Sequence, residues 1–216
     1  RNSFEDSSPP EEAPPVFPID RAISAVVEHI TSAVLATQRW SVATISNILS
    51  LDNSSLNTLT SSGGLMILSS LLNSSDDDTK SHASYALQSA VTISNHSETL
   101  LNNIATSLDY NTMSTLLSPN TSTDNIIKTT AGLLGTLLLP ITSISNNQPT
   151  STHHPSYTIA INLHTPPVIA NLVSLLTTSS STTSVLVCLA GIANANGGSE
   201  ILPKTDLGNL CMTLLR

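Results

Sequence analysis

The chain has 216 residues, of which 39% are hydrophobic, 3% aromatic and 10% charged, and it carries a net charge of −8 with only 7 Lys plus Arg. So few cations exclude a phosphate-backbone binder, which depends on clustered positive charge that releases counterions, and nucleic acid is not an expected partner. So few aromatics require a core of Leu, Ile, Val and Ala, in one domain by length, under a surface rich in Ser and Thr, roughly 29% of the chain.

Residues 1–19 hold five prolines, Pro9, Pro10, Pro14, Pro15 and Pro18, among Glu5, Asp6, Glu11 and Glu12. That composition predicts an extended, disordered acidic arm, because it offers almost nothing to bury and proline favours polyproline geometry. From 20 to 216 the pattern is helical. Asp20 reads as an N-cap, followed by Ile23, Val26, Val27, Ile30 and Val34 at helical spacing. A second helix is expected over about 38–51, with Val42, Ile45, Ile48 and Leu49 on one face.

Gly63-Gly64 then opens Leu65-Met66-Ile67-Leu68-Ser69-Ser70-Leu71-Leu72, which breaks at Asn73 to Asp78 and resumes through Ala83, Ala86, Leu87 and Ala90 to Ile93. Asp76, Asp77 and Asp78 stand where unpaired N–H groups and the helix dipole favour carboxylates. A cation site is the other reading of three adjacent aspartates, but no calcium-loop pattern completes it. Further helices are expected over about 97–107, 111–117 and 122–139, the last ended by Pro140. A polar loop is expected over about 143–157, with His153-His154 inside it. Helices over about 157–163, 166–176 and 181–194 follow, and a fifth unit starts at 207–215.

Doublets of large aliphatics punctuate this layout. Leu35, Leu72, Leu117, Leu176 and Leu215 stand 37, 45, 59 and 39 residues apart, and a period near 40 with one insertion is that of a helical repeat whose units bury their faces only by stacking. The fifth unit ends without an evident polar cap, so a continuation or a covering partner is expected at that end.

Gly64-Leu65-Met66-Ile67-Leu68-Ser69-Ser70-Leu71-Leu72 followed by Ala83-Ser84-Tyr85-Ala86-Leu87-Gln88-Ser89-Ala90 resembles the armadillo-repeat unit, Gly-apolar-x-x-Leu-x-x-Leu-Leu and then Ala-x-x-Ala-Leu-x-Asn-Leu. Val168 to Leu176 with Cys188-Leu189-Ala190-Gly191-Ile192-Ala193-Asn194 is similar. The resemblance spans about residues 22–216 and leaves the related HEAT unit open. It implies an all-α, right-handed superhelical solenoid of about four to five armadillo-like repeats, binding partners along the groove lined by third helices. Importin-like members grip peptide backbone with an asparagine ladder. Here those rungs read as Asn47, Ser89, Gly135 and Gly191, which disfavours a receptor for basic signals. Trp40 with Asn47 is either a residual contact point or, more plainly, a tryptophan packed between helices beside a solvated asparagine. The groove contacts expected are Trp40, Asn47, Tyr85, Ser89 and Asn194.

Nothing in the sequence assembles a catalytic site. His153-His154 is the tempting pair, with His164 beyond it, but adjacent histidines in a polar loop lack the i, i+4 geometry of a metal face. His29, His82 and His96 read as surface or packing residues. Gly63-Gly64 and Gly197-Gly198 read as helix C-caps rather than phosphate loops. No Gly-x-Ser-x-Gly elbow is present. Cys188 and Cys211 read as buried free thiols. The sequons at Asn53, Asn73, Asn95 and Asn120 are what chance supplies in so much Asn, Ser and Thr. No apolar run reaches the 18 or so residues of a membrane span. Arg1 in place of methionine fits a trimmed or processed chain, and an intracellular compartment is expected, cytoplasmic or organellar behind a removed transit peptide.

The function expected is a non-catalytic protein-interaction scaffold or adaptor, in its finer form a structural subunit of a larger assembly, without cofactor, metal or small-molecule substrate. The alternatives are an armadillo-type cochaperone that exchanges nucleotide on a heat-shock chaperone, and an enzyme with its site in the histidine loop.

Overall fold

The computed structural model describes residues 18–51, 54–142, 154–178 and 182–195. The acidic arm but for its last two residues, most of the 143–157 loop, Asn53, Gly197-Gly198, Cys211 and the fifth unit lie outside the described residues. Eleven α-helices and no strands occur among the described residues. A leading pair, α1 (Ile19–Ile30) and α2 (Leu35–Leu51), precedes three complete units. These are α3 (Ser55–Ser61), α4 (Gly64–Leu71) and α5 (Asp77–Ile93); α6 (Glu98–Ser107), α7 (Tyr110–Leu116) and α8 (Asp124–Thr142); and α9 (Pro155–Leu163), α10 (Pro166–Thr178) and α11 (Thr182–Ala195).

Local chemistry sets most boundaries. Helix α5 starts where the Asp76 side chain accepts from the Thr79 backbone N–H at 2.9 Å, satisfying a donor that has no partner within the helix. Asp109 does the same for α7 through the Asn111 N–H at 3.0 Å. Gly63, at φ +72°, reverses the chain between α3 and α4 in the left-handed conformation that costs glycine nothing. Gly64 is needed for closeness: a Cβ there would sit 2.3 Å from Leu59 Cδ1. Pro155 and Pro166 occupy first turns, where a missing N–H is not felt.

Three boundary expectations are corrected. Asp20 is not the N-cap of α1. Pro18 precedes the helix, and Asp20 lies in the first turn, where its carboxylate accepts from Thr58 Oγ1 at 2.8 Å. Pro140 does not end α8, which continues to Thr142; a proline this near the end removes one N–H while buried Leu137, Leu138 and Ile141 hold the last turn in the core. Leu35 does not close a second helix. It opens α2, is 44% exposed, and leaves Ile30, fully buried at the end of α1, in the structural role that Leu72, Leu117 and Leu176 play in later units.

The third helices α2, α5, α8 and α11 lie side by side in chain order, each packed on the next. Each second helix packs on the first helix of the following unit, α1 on α3, α4 on α6 and α7 on α9. One continuous apolar core, from Ile23 to Ile192, runs the length of the stack. Burying each such Leu or Ile contributes about 1.5–3 kcal/mol, so stability grows unit by unit. No single described helix is long and apolar enough to cross a membrane. Helices α9 and α10 pass that length and composition test only together and are bent by 90° at their junction.

Candidate functional site

Buried residues fix the register among third helices. Ile45 and Leu49 of α2, Leu87 and Val91 of α5, Leu134 and Leu138 of α8, and Cys188 and Ile192 of α11 are all buried at equivalent points. Counting from them places Tyr85 opposite Ala43, Gly132 and Leu186. It places Ser89 opposite Asn47, Thr136 and Ala190.

The rungs expected at Gly135 and Gly191 are therefore one residue out of register, and both glycines serve packing. A Cβ on Gly135 would sit 3.2 Å from the Ser184 carbonyl oxygen of α11, and one on Gly191 would sit 2.8 Å from Leu138 Cβ of α8. The α8–α11 seam is thus a close approach of two helix backbones through small residues.

Among the expected contacts, Asn47 is exposed, Tyr85 is 47% exposed and Ser89 is half-buried, so these three lie at the surface of the third-helix row. Trp40 is 72% exposed, which overturns the packed tryptophan. It aligns with His82 and shares a helical stripe with Thr44, Asn47 and the exposed Leu51. Asn194 belongs to α11, and its side chain lies outside what the structure describes. A pocket of about 280 Å³ opens between α5, α8 and α11, bounded by Tyr85, Gln88, Lys128, Gly132 and Ser184.

Sequence reasoning missed the ion pair that ties the first seam. Arg39 of α2 donates from Nε to Asp76 Oδ2 at 3.1 Å and from Nη2 to Asp76 Oδ1 at 2.6 Å, and its Nη1 lies 3.0 Å from Asp78 Oδ2. The fork-on-carboxylate geometry is the strong form of this contact. Asp76 is only 10% exposed, and the Arg39 hydrogen bond, helped by Thr79, holds its carboxyl down at about 2. The aspartate triplet is thereby committed to capping and to Arg39, and Asp77 pairs with Lys80 at 3.0 Å. The signal available in sequence was a lone arginine on a low-charge helix, 37 residues from its partner.

His96, read from the sequence as a surface or packing residue, is partly buried and holds a turn. It and Asn95 turn the chain from α5 into α6 at positive φ, +59° and +49°. Its Nε2 is buried with no hydrogen-bond partner, and burial, with His154 nearby, pushes the imidazole below its ordinary range. His154 caps α9, its Nδ1 accepting from the Ser156 N–H at 3.3 Å, and so has a structural task. Cys188 is a buried free thiol, as expected, pushed up to about 12 by burial, and it is un-ionised at neutral pH. No grouping of three or more His, Cys, Asp or Glu suited to a metal occurs among the described residues.

No family model matches the sequence, and no curated protein matches it. Solved structures do match its fold. A computationally designed armadillo repeat protein for modular peptide recognition superposes at TM-score 0.51, with 17% identity, over 88% of each chain. A designed armadillo repeat protein in complex with a (KR)4 peptide gives 0.50, with 15% identity, over 80% of this chain and 82% of that one. An engineered protein solved as a structural-genomics target gives 0.51, with 16% identity, over 83% and 81%. The chain has the armadillo-like helical-repeat fold, an all-α solenoid.

Proposed function

We propose that this protein is a non-catalytic interaction scaffold that holds an extended segment of another protein along the row of α2, α5, α8 and α11. One observation carries this reading. Four third helices stand in register, and on the first three of them Asn47, Tyr85, Gln88 and Lys128 are polar or aromatic and accessible rather than committed to the core, while α11 presents Leu186 and Ala190 at the matching positions. Amide and hydroxyl groups spaced along parallel helices match the repeating N–H and C=O of an extended chain, which a flat convex surface cannot do. Membership of a larger assembly, as a structural subunit, is the finer form of the same proposal.

The test is peptide-library selection with the full-length chain, followed by affinity measurement on a triple variant, Trp40→Ala, Asn47→Ala and Tyr85→Ala. These side chains are exposed or half-exposed, so the helical circular dichroism stays unchanged, while selected peptides bind at least about ten-fold more weakly. A control double variant on α6, Asn102→Ala with Thr106→Ala, leaves binding intact. Undiminished affinity in the triple variant would sink the proposal.

A further inference from the structure

Arg39 and Lys128 occupy the same register position in the first and third of the four third helices, α2 and α8. With Ile45 set on Leu134 and Leu49 on Leu138, Arg39 of α2 falls on Lys128 of α8. Arg39 meets Asp76, the cap of the next third helix, and Asp78 two residues on. Lys128 meets no such group. The sequence contains no Asp or Glu between Asp124 and Glu200, so the unit that α8 faces supplies no carboxylate. Of the three cations on the third helices, Arg39 and Lys80 are ion-paired, and Lys128 is in none of the ion pairs among the described residues.

What stands beside Lys128 is open space. The pocket of about 280 Å³ has its floor at Gly132, the register position where α5 carries Tyr85. A Cβ at Gly132 would lie 3.0 Å from Gln88 Oε1, so the glycine lets the Gln88 carboxamide lie against α8 at the edge of the pocket. Thr183 and Ser184 bring hydroxyl-bearing side chains to its walls, the Thr129 hydroxyl donates to the Asn125 carbonyl of its own helix at 3.0 Å, and Tyr85 supplies an aromatic edge.

We propose that this pocket receives an Asp or Glu side chain from the bound segment, Lys128 giving that carboxylate the cation that Arg39 gives Asp76 within the chain. The inference rests on the third-helix face being the binding face. The carboxylate accepts from Lys128 Nζ, from the Gln88 amide and from the wall hydroxyls, and the methylenes of the incoming residue lie on the Tyr85 ring. Because Arg39 and Lys80 are already paired within the chain, one acidic residue in an otherwise uncharged extended segment is the chemistry the face selects.

The experiment uses the full-length chain and four libraries of peptides about nine residues long, built from Ala, Ser, Thr, Asn and Leu, whose central residue is Glu, Gln, Lys or phosphoserine. Affinity is measured together with amide chemical shifts at residues 128, 132, 183 and 184. The Glu library is expected to bind about ten-fold or more tighter than the Gln library, as a charge-assisted contact requires. Lys128→Gln, an exposed substitution, removes that preference, and Lys128→Glu transfers it to the Lys library. Equal binding of Glu and Gln peptides, or a Glu preference that survives Lys128→Gln, overturns the pocket while leaving the third-helix reading standing. A phosphoserine preference of ten-fold over Glu also overturns it, by assigning the site to a phosphoryl group. Shifts confined to residues outside the third helices overturn both.

Discussion

The first and last seams of this solenoid are closed by different means. Between α2 and α5 a bidentate arginine reaches the capping aspartate of the next helix, over an apolar contact that includes Ile45, Leu49, Ala83 and Leu87. Between α8 and α11 glycine at 135 and 191 brings the backbones together, and α11 offers Lys128 no carboxylate. One repeat register therefore accommodates two solutions, electrostatic at one end and steric at the other. The steric seam leaves its cation available to an incoming partner.

The largest effect tests what both seams share. Leu134→Ala empties a fully buried position at the centre of α8 and should cost about 2–5 kcal/mol in chemical denaturation. A loss below about 1 kcal/mol would mean that α8 is not packed between its neighbours.

Next comes the electrostatic seam. Asp76→Ala removes the cap of α5 and the acceptor of Arg39, and a cost of about 1–2 kcal/mol is expected. Its pH signature follows from the lowered carboxyl. In the unfolded chain the group titrates near its ordinary 3.8 and in the folded chain at about 2, so on acidification the unfolded state takes up the proton first. The stabilisation is fully present above about pH 4 and is lost as pH falls towards about 2. Asp109, lowered by its Thr112 and backbone contacts, adds to the same window. Acid unfolding of Asp76→Asn should show a shallower slope between those limits, and a slope equal to that of the parent would remove Arg39 from the account.

The steric seam is read by two glycine substitutions of opposite sign. Gly191→Ala drives a methyl to 2.8 Å from Leu138 Cβ, and overpacking should outweigh the gain in helix propensity, for a net loss of about 1 kcal/mol. Gly132→Ala meets only the end of the Gln88 side chain, which can swing aside, and should stabilise by about 0.5 kcal/mol. Thermal melts of the pair decide it, and two losses of equal size would show that α8 is as tight on its open face as on its seam.

The smallest change converts one seam into the other. Thr183→Asp places a carboxylate in the first turn of α11 on the pocket wall with Lys128, and should stabilise by about 0.3–1 kcal/mol through the helix dipole and a new ion pair. The same variant should lose any preference for acidic peptides.

Much of the fold was legible in the chain. Apolar spacing gave the helices, the leucine doublets at 71–72, 116–117 and 175–176 gave the repeat, and Asp76 and Gly63 gave a cap and a turn. These signals are local, each acting within a turn or two of backbone. The candidate face was legible in part: Asn47, Tyr85 and Ser89 reach the surface because their positions follow from α2 and α5 periodicity. The Val34-Leu35 doublet misled because it has the composition of a helix end but lies in the linker and the start of α2.

What the sequence by itself determined is a stack of short amphipathic helices with an aliphatic core and few charges. Only the tertiary structure decided how the units align. It set the one-residue register that moves Gly135 and Gly191 from the expected asparagine-ladder position into a seam, the pairing of Arg39 with a carboxylate 37 residues away, and the absence of Lys128 from the ion pairs among the described residues. The physical reason is range. Periodicity and capping act along one helix, whereas register and charge pairing between helices arise only when neighbouring units share a buried surface.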